Sequence, residues 1–400
     1  MNPHLAGYLG PVNFLKLGTP FLLLWLGVRR VDLPKRTSYV LAASLAVLFF
    51  ATLLSGLRCH FPSPLMRETA SITLGLIAAG SFLLLGPRQK IWTFWIWGIV
   101  IYGSAFLDKL SPSTMDWFFL NVSDPNTLGS DFSELGQRAL TGVFGRQSMA
   151  KILAWTPFIF LAFSSQTSEA LKKNSQRLLF ILGTISTGLI LTTSQRGPFL
   201  GAIVGWCIFG LHQLIQGKNR RLALMAASAI GASLVVTAIL VPHSILMPRI
   251  QSMFVGESDN PYTQTAIENQ GSRLRMWKLS FDVVEHNPLG DSCIPLERFS
   301  SMRLNPFHAH NIFLQQFRER GWLWGFVHMA LWILALVGAW RSRDAKSSFL
   351  VAGLATILVL GMVDHPWFVL NQAMMIGILL IAGLKKYFDR SSDVQGPVES

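Results

Sequence analysis

Gly271-Ser272-Arg273-Leu274-Arg275-Met276-Trp277 and His308-Ala309-His310-Asn311-Ile312-Phe313-Leu314 lie in one polar stretch, residues 243–321, between two apolar runs of membrane-spanning length. A helix needs roughly 20 apolar residues to cross a bilayer, and such runs recur on both sides of this stretch. They read as a scaffold that holds the loop at one membrane face. The loop reads as the part that carries chemistry.

The chain is 51% hydrophobic, 12% aromatic and 14% charged, where soluble domains carry about 25% charged residues. Spanning candidates fall at 12–28, 38–57, 69–86, 91–107, 149–164, 178–194, 198–215, 222–242, 322–340, 347–363 and 367–384. A twelfth has room in the N-terminal region or in 112–145. The expected fold class is therefore an all-α polytopic membrane protein with about 11–12 transmembrane helices and one large helical loop. It divides into N-terminal spans (1–242), the loop (243–321), C-terminal spans (322–390) and a short disordered tail (391–400). No cleavable signal peptide is evident, since the first apolar run lacks a basic leader and a small-residue cleavage site.

The net charge of +13 is topological. Every second connection is short and basic, and these connections with the C-terminal tail hold 18 Lys and Arg against six Asp and Glu. The positive-inside rule places them in the cytoplasm and the large loop outside. No basic patch remains to track phosphates of nucleic acid. Tryptophans such as Trp92, Trp155 and Trp322 sit near span ends, as an interfacial belt does. Cys207 lies in an apolar run and reads as packing. Cys59 and Cys293 both fall on the outer side, where a disulfide is chemically allowed.

Three places offer chemistry. Arg196 sits in a short outer turn, Thr192-Thr193-Ser194-Gln195-Arg196-Gly197-Pro198, and Pro198 suits the first turn of the next helix. An arginine at membrane depth faces a polar cavity or partner, or snorkels to the interface. Arg273, with Arg275 beside it, falls where Leu274, Trp277, Phe281 and Val284 recur at helical spacing and His286-Asn287-Pro288 ends the run. A guanidinium in that first turn suits a diphosphate; the alternative is a solvated polar face. His310 precedes a helical run in which Phe313, Leu314 and Phe317 can dock the segment on the membrane domain. A positive helix terminus keeps a histidine neutral and able to accept a proton, and Asn311 can orient it. A packed structural histidine is the plain alternative. His308 and His310 are two residues apart with no further ligand set at metal spacing, so no metal is expected.

Two arginines and a histidine at one membrane face suit transfer from a lipid-linked diphosphate, with the arginines stabilising the leaving group and the histidine taking a proton from an acceptor hydroxyl. The order of motifs resembles the O-antigen ligase family, which also holds O-antigen polymerases and bacterial O-oligosaccharyltransferases. The matching pieces are the Ser-x-Arg-Gly turn, the Arg-x-x-x-Trp helix start, His-x-His-Asn-x-x-Leu, and Arg320-Gly321-Trp322-Leu323-Trp324-Gly325 entering the next span. Gly142-Val143-Phe144-Gly145-Arg146-Gln147 is similar to a family Gly-x-Phe segment but departs where many members carry Asn.

The resemblance covers roughly 140–340. It implies a GT-C type glycosyltransferase in a Gram-negative inner membrane with a periplasmic active site, an undecaprenyl-diphosphate-linked O-antigen donor, a lipid A–core acceptor, and no metal or other cofactor. It places His310, Arg196 and Arg273 at catalytic positions, with Arg275, Asn311, Arg146 and His308 as substrate-binding candidates. Polymerase and protein-transferase activities share this donor chemistry. A transporter or flippase is the reading from another class, and the clustering of candidates at one face argues against it.

Overall fold

The computed structural model describes residues 35–59, 63–111, 113–114, 146–164, 181, 183–190, 193, 196–216, 224, 227–232, 235, 274, 276–291, 309, 311–342, 345–363 and 370–393. Among them every regular element is helical. The long elements are α1 (Lys35–Cys59), α2 (Ser63–Leu84), α3 (Pro87–Gly98), α4 (Ser104–Leu110), α5 (Arg146–Ser164), α6 (Arg196–Ile215), α7 (Ile312–Arg341), α8 (Ala345–Val363) and α9 (Leu370–Asp393). A π-helical turn, Ile99–Gly103, joins α3 to α4. Among the described residues three helices are long and apolar enough to cross a membrane, Arg36–Arg58, Gly197–Ile215 and Ile312–Arg341, and Glu68–Leu84, Ser148–Phe163 and Ser347–Met362 are shorter apolar helices. These helices fit a multi-pass membrane protein. The candidates at 12–28 and most of 222–242 lie outside the described residues.

Contacts fix the relative directions. On α6 and α8, Gly201 meets Leu360, Phe209 stacks on Phe349 with ring centroids 4.5 Å apart, and His212 Nδ1 lies 2.7 Å from Ser348 Oγ, so the two run antiparallel. Ile312 touches Gly361, which sets α7 antiparallel to α8. Gly75 meets Ala373 and Gly377 meets Ala79, which makes α2 and α9 parallel. Ser148 accepts from Gln372 Nε2 at 3.0 Å, so α5 and α9 start side by side. The N-terminal ends of α2, α5, α6, α7 and α9 thus gather at one end of the bundle, beside the C-terminal ends of α1 and α8. The alternation expected from the basic connections requires this arrangement. Glycines permit the close approaches: a Cβ on Gly75 would lie 2.7 Å from the Ala373 carbonyl carbon, and one on Gly201 would lie 3.1 Å from Thr356 O. Small residues at such contacts are what membrane helices use to pack backbone on backbone.

Two expectations change. Cys207 is exposed rather than packed. It shares an outward stripe with Leu200, Leu211 and Leu214, spaced at helical period on α6. The stretch read as a tail begins inside α9, which runs to Asp393, and Phe388 packs against the main core and carries the helix past the span.

Candidate functional site at the shared helix ends

The loop stretch contributes a helix over 276–286, which Asn287 and Pro288 terminate as the sequence indicates. Its buried face is not the expected one. Met276, Ser280 and Val284 are buried, with Trp277 beside them, whereas Leu274 and Phe281 are exposed. Val284 forms a small separate core with Ala309 and Leu314, and Trp277 and Phe317 pack on it. The helix that follows Ser272-Arg273 therefore lies against the segment that holds Ala309 and Asn311. Phe313 does what the sequence suggests and packs into the membrane core, near His328 and Trp332. Leu314 and Phe317 instead clamp the loop helix.

Asn311 caps α7. Its side-chain oxygen accepts from the N–H groups of Phe313 and Leu314, each at 3.0 Å, which satisfies two of the helix's unpaired donors. Its amide nitrogen faces Met362 Sδ at 3.8 Å. Asn311, Ile312, Gly361 and Met362 thus bring the start of α7 to the last turn of α8. Gly201, which meets Leu360 in that same turn, is five residues from Arg196, or about 7.5 Å along a helix.

A break in α7 joins the loop to the bundle. Gly321 has φ +75 and ψ −175 inside an otherwise continuous helix. This flip leaves the Arg318 carbonyl and the Trp322 N–H without their helical partners. The chain after the loop helix supplies both: Asp291 N–H donates to Arg318 O at 2.7 Å, and Trp322 N–H donates to Pro288 O at 2.9 Å. Gly290, at φ +87, faces Gly321 directly. A Cβ on Gly290 would lie 2.5 Å from Gly321 N, and one on Gly321 would strike Pro288 O. Only glycine tolerates both the backbone conformation and the approach.

Below this break lies a buried ionic cluster. Glu68 of α2 and Arg318, Glu319 and Arg320 of α7 are each at most 3% exposed. Arg320 pairs with Glu319 at 3.2 Å and Glu68 at 3.4 Å. It also donates to Gln316 Oε1 at 2.9 Å, Thr69 Oγ1 at 3.0 Å and Thr52 Oγ1 at 3.3 Å. Arg318 and Glu319 lie 3.6 Å apart. Gln316 Nε2 donates to Glu68, and Gln315 Nε2 donates to Glu319. Two acidic side chains thus lie against two guanidinium groups, so none of the four is buried without a partner of opposite sign.

Arg196 begins α6 and Arg146 begins α5; their side chains lie outside the described residues. Arg273, Arg275, His308 and His310 lie outside the described residues, as does Cys293. The structure places the helix after Arg273 in contact with Ala309 and Leu314, before and after His310 in the chain, and puts the Arg196 and Arg146 helix starts at the same end. Sequence reasoning missed Glu68, Gln315, Gln316, Glu319 and Arg320 as parts of the site's support. The available signal was Arg318-Glu319-Arg320 flush against an apolar run, with Glu68 at the mouth of another; intramembrane charges of that kind need partners.

Residues 179–329 match the family model described as O-Antigen ligase. A search of the curated proteins finds no match. Members of the matched family are membrane glycosyltransferase-like enzymes, for which lipid-linked glycans and lipid acceptors are the general substrates. The matched stretch holds the Arg196 turn, the loop helix, the capped start of α7 and the Gly321 break, and over it the chain is similar to the O-antigen ligase family.

Proposed function

We propose that this protein is a GT-C type O-antigen ligase that works at the periplasmic face of a Gram-negative inner membrane. It moves a glycan from undecaprenyl diphosphate to a sugar hydroxyl of lipid A–core. The observation that carries the reading is the packing of the helix after Ser272-Arg273 on Ala309 and Leu314, the neighbourhood of His310, at the bundle end where α6 starts with Arg196.

In the reaction His310 takes the proton of the acceptor hydroxyl as its oxygen attacks the anomeric carbon of the donor sugar. The anomeric C–O bond breaks, and the electron pair stays on the departing diphosphate. Arg196 and Arg273 stabilise the charge that builds there, with Arg275 and Arg146 as further contacts to the diphosphate. His308 and Asn311 line the acceptor side, and Asn311 also fixes the start of α7. The N-terminal ends of α5, α6, α7 and α9 share this end of the bundle, and their dipoles add positive potential where the diphosphate sits. No metal is needed in this scheme, because the arginines and helix ends supply the positive charge.

The test is acceptor choice. Purified protein with an undecaprenyl-diphosphate-linked glycan is offered lipid A–core, a second donor glycan, or a serine-containing protein. Transfer to lipid A–core supports the ligase. Chain extension alone identifies a polymerase of the same family, and transfer to protein alone identifies a protein transferase.

A further inference from the structure

The ionic cluster is connected by hydrogen bonds to the residue that precedes His310. Ala309 is fully buried, and its N–H donates to Gln315 Oε1 at 2.6 Å. Gln315 is itself fully buried, and its amide nitrogen donates to Glu319. Glu319 is held in turn by Arg320, which reaches Glu68 and Thr69 on α2 and Thr52 on α1. A glutamine has one acceptor end and one donor end. Here the acceptor end is set by a carboxylate at the donor end, so the amide cannot flip without putting its NH2 group against the Ala309 N–H.

We propose that Gln315, oriented by Glu319, is a positioning residue for the transfer reaction: it fixes the Ala309 backbone and thereby the placement of the adjoining His310. The inference rests on the reading of His310 as the base. Gln315 touches neither substrate nor reacting atoms; it acts through the backbone. A packing role alone would need no amide here, and an apolar side chain of similar size would fill the space. The bond to Ala309 crosses from α7 back to the segment before its cap, so it restrains the loop where the Asn311 cap does not.

The test uses the full-length protein in detergent, with transfer rates measured over a range of donor concentrations. Gln315→Leu removes both hydrogen bonds; kcat falls 10- to 100-fold while donor KM stays within about twofold, since the arginines that hold the diphosphate are untouched. The exchanged pair Gln315→Glu/Glu319→Gln keeps the charge of the cluster and restores an acceptor for Ala309 and a donor–acceptor pair between the two side chains. It regains at least tenfold of the lost kcat. Thermal melting and elution volume are measured for every variant, so a folding defect is seen as such. Unchanged kcat in a folded Gln315→Leu beside an inactive His310→Ala overturns this inference alone. A folded exchanged pair no better than Gln315→Leu also overturns it. A fully active His310→Ala overturns the base assignment, and this inference with it.

Discussion

Gly290 and Gly321 face each other so closely that a Cβ on either would come within 2.7 Å of the other's backbone nitrogen. Both have positive φ. Around this pair two hydrogen bonds cross, from Asp291 to Arg318 and from Trp322 to Pro288. The break in α7 is thus the joint by which the loop helix is fastened to the bundle, and the position of the loop depends on two residues without side chains.

Gly321→Ala is accordingly expected to detach the loop. A left-handed backbone costs a non-glycine residue about 1–3 kcal/mol, and the collision with Pro288 O adds to it. Glycan transfer falls at least tenfold. Limited proteolysis checks the cause: cleavage within 287–291 speeds up while the rest of the protein stays protected. Unchanged proteolysis and transfer would show that the joint does not fix the loop.

Arg320→Met leaves Glu68 and Glu319 buried with less positive charge than they need. Breaking such a pair costs about 3–5 kcal/mol, and the melting temperature in detergent falls by several degrees. Arg320→Met/Glu68→Gln restores the charge balance, so it melts above the single variant. Equal melting of the two would contradict the account of the cluster.

Asn311→Ala removes the cap of α7, at a cost of about 0.5–2 kcal/mol. Asn311→Asp keeps an acceptor for the Phe313 and Leu314 N–H groups and recovers most of that stability. Melting curves distinguish the two. Transfer that follows stability in both variants assigns Asn311 to capping, whereas loss of transfer in Asn311→Asp with stability kept assigns its amide to substrate.

Arg273→Lys keeps the charge and loses the planar fork that grips two phosphate oxygens at once. Transfer falls about tenfold or more with little change in melting. A fully active lysine variant would show that Arg273 only adds positive potential.

Much of the fold was legible because apolar run length and basic connections are direct consequences of the bilayer. Eight of the candidate runs, from 38–57 to 367–384, fall on α1, α2, α3–α4, α5, α6, α7, α8 and α9, although α7 begins at Ile312, inside the stretch read as loop. The end of the loop helix was legible too, since Asn287-Pro288 stops a helix by backbone chemistry alone. The buried face of that helix was not. Leu274 and Phe281 fit an apolar period, yet Met276, Ser280 and Val284 are buried, because the face is chosen by what Ala309 and Leu314 offer across a sequence gap. Arg318, Glu319 and Arg320 read as loop charges in a polar stretch; their burial depends on Glu68, about 250 residues away in the chain. Local pattern carries no information on such a pairing.

The central claim is that His310 acts as the base in metal-free transfer from a lipid diphosphate. The direct measurement is glycan transfer from purified undecaprenyl-diphosphate donor to lipid A–core, in detergent with a chelator present, for the unaltered protein and His310→Ala. The account predicts full transfer by the first despite the chelator, and none by a second protein that melts normally and still binds donor. Full activity of His310→Ala, or abolition of transfer by the chelator alone, would contradict it.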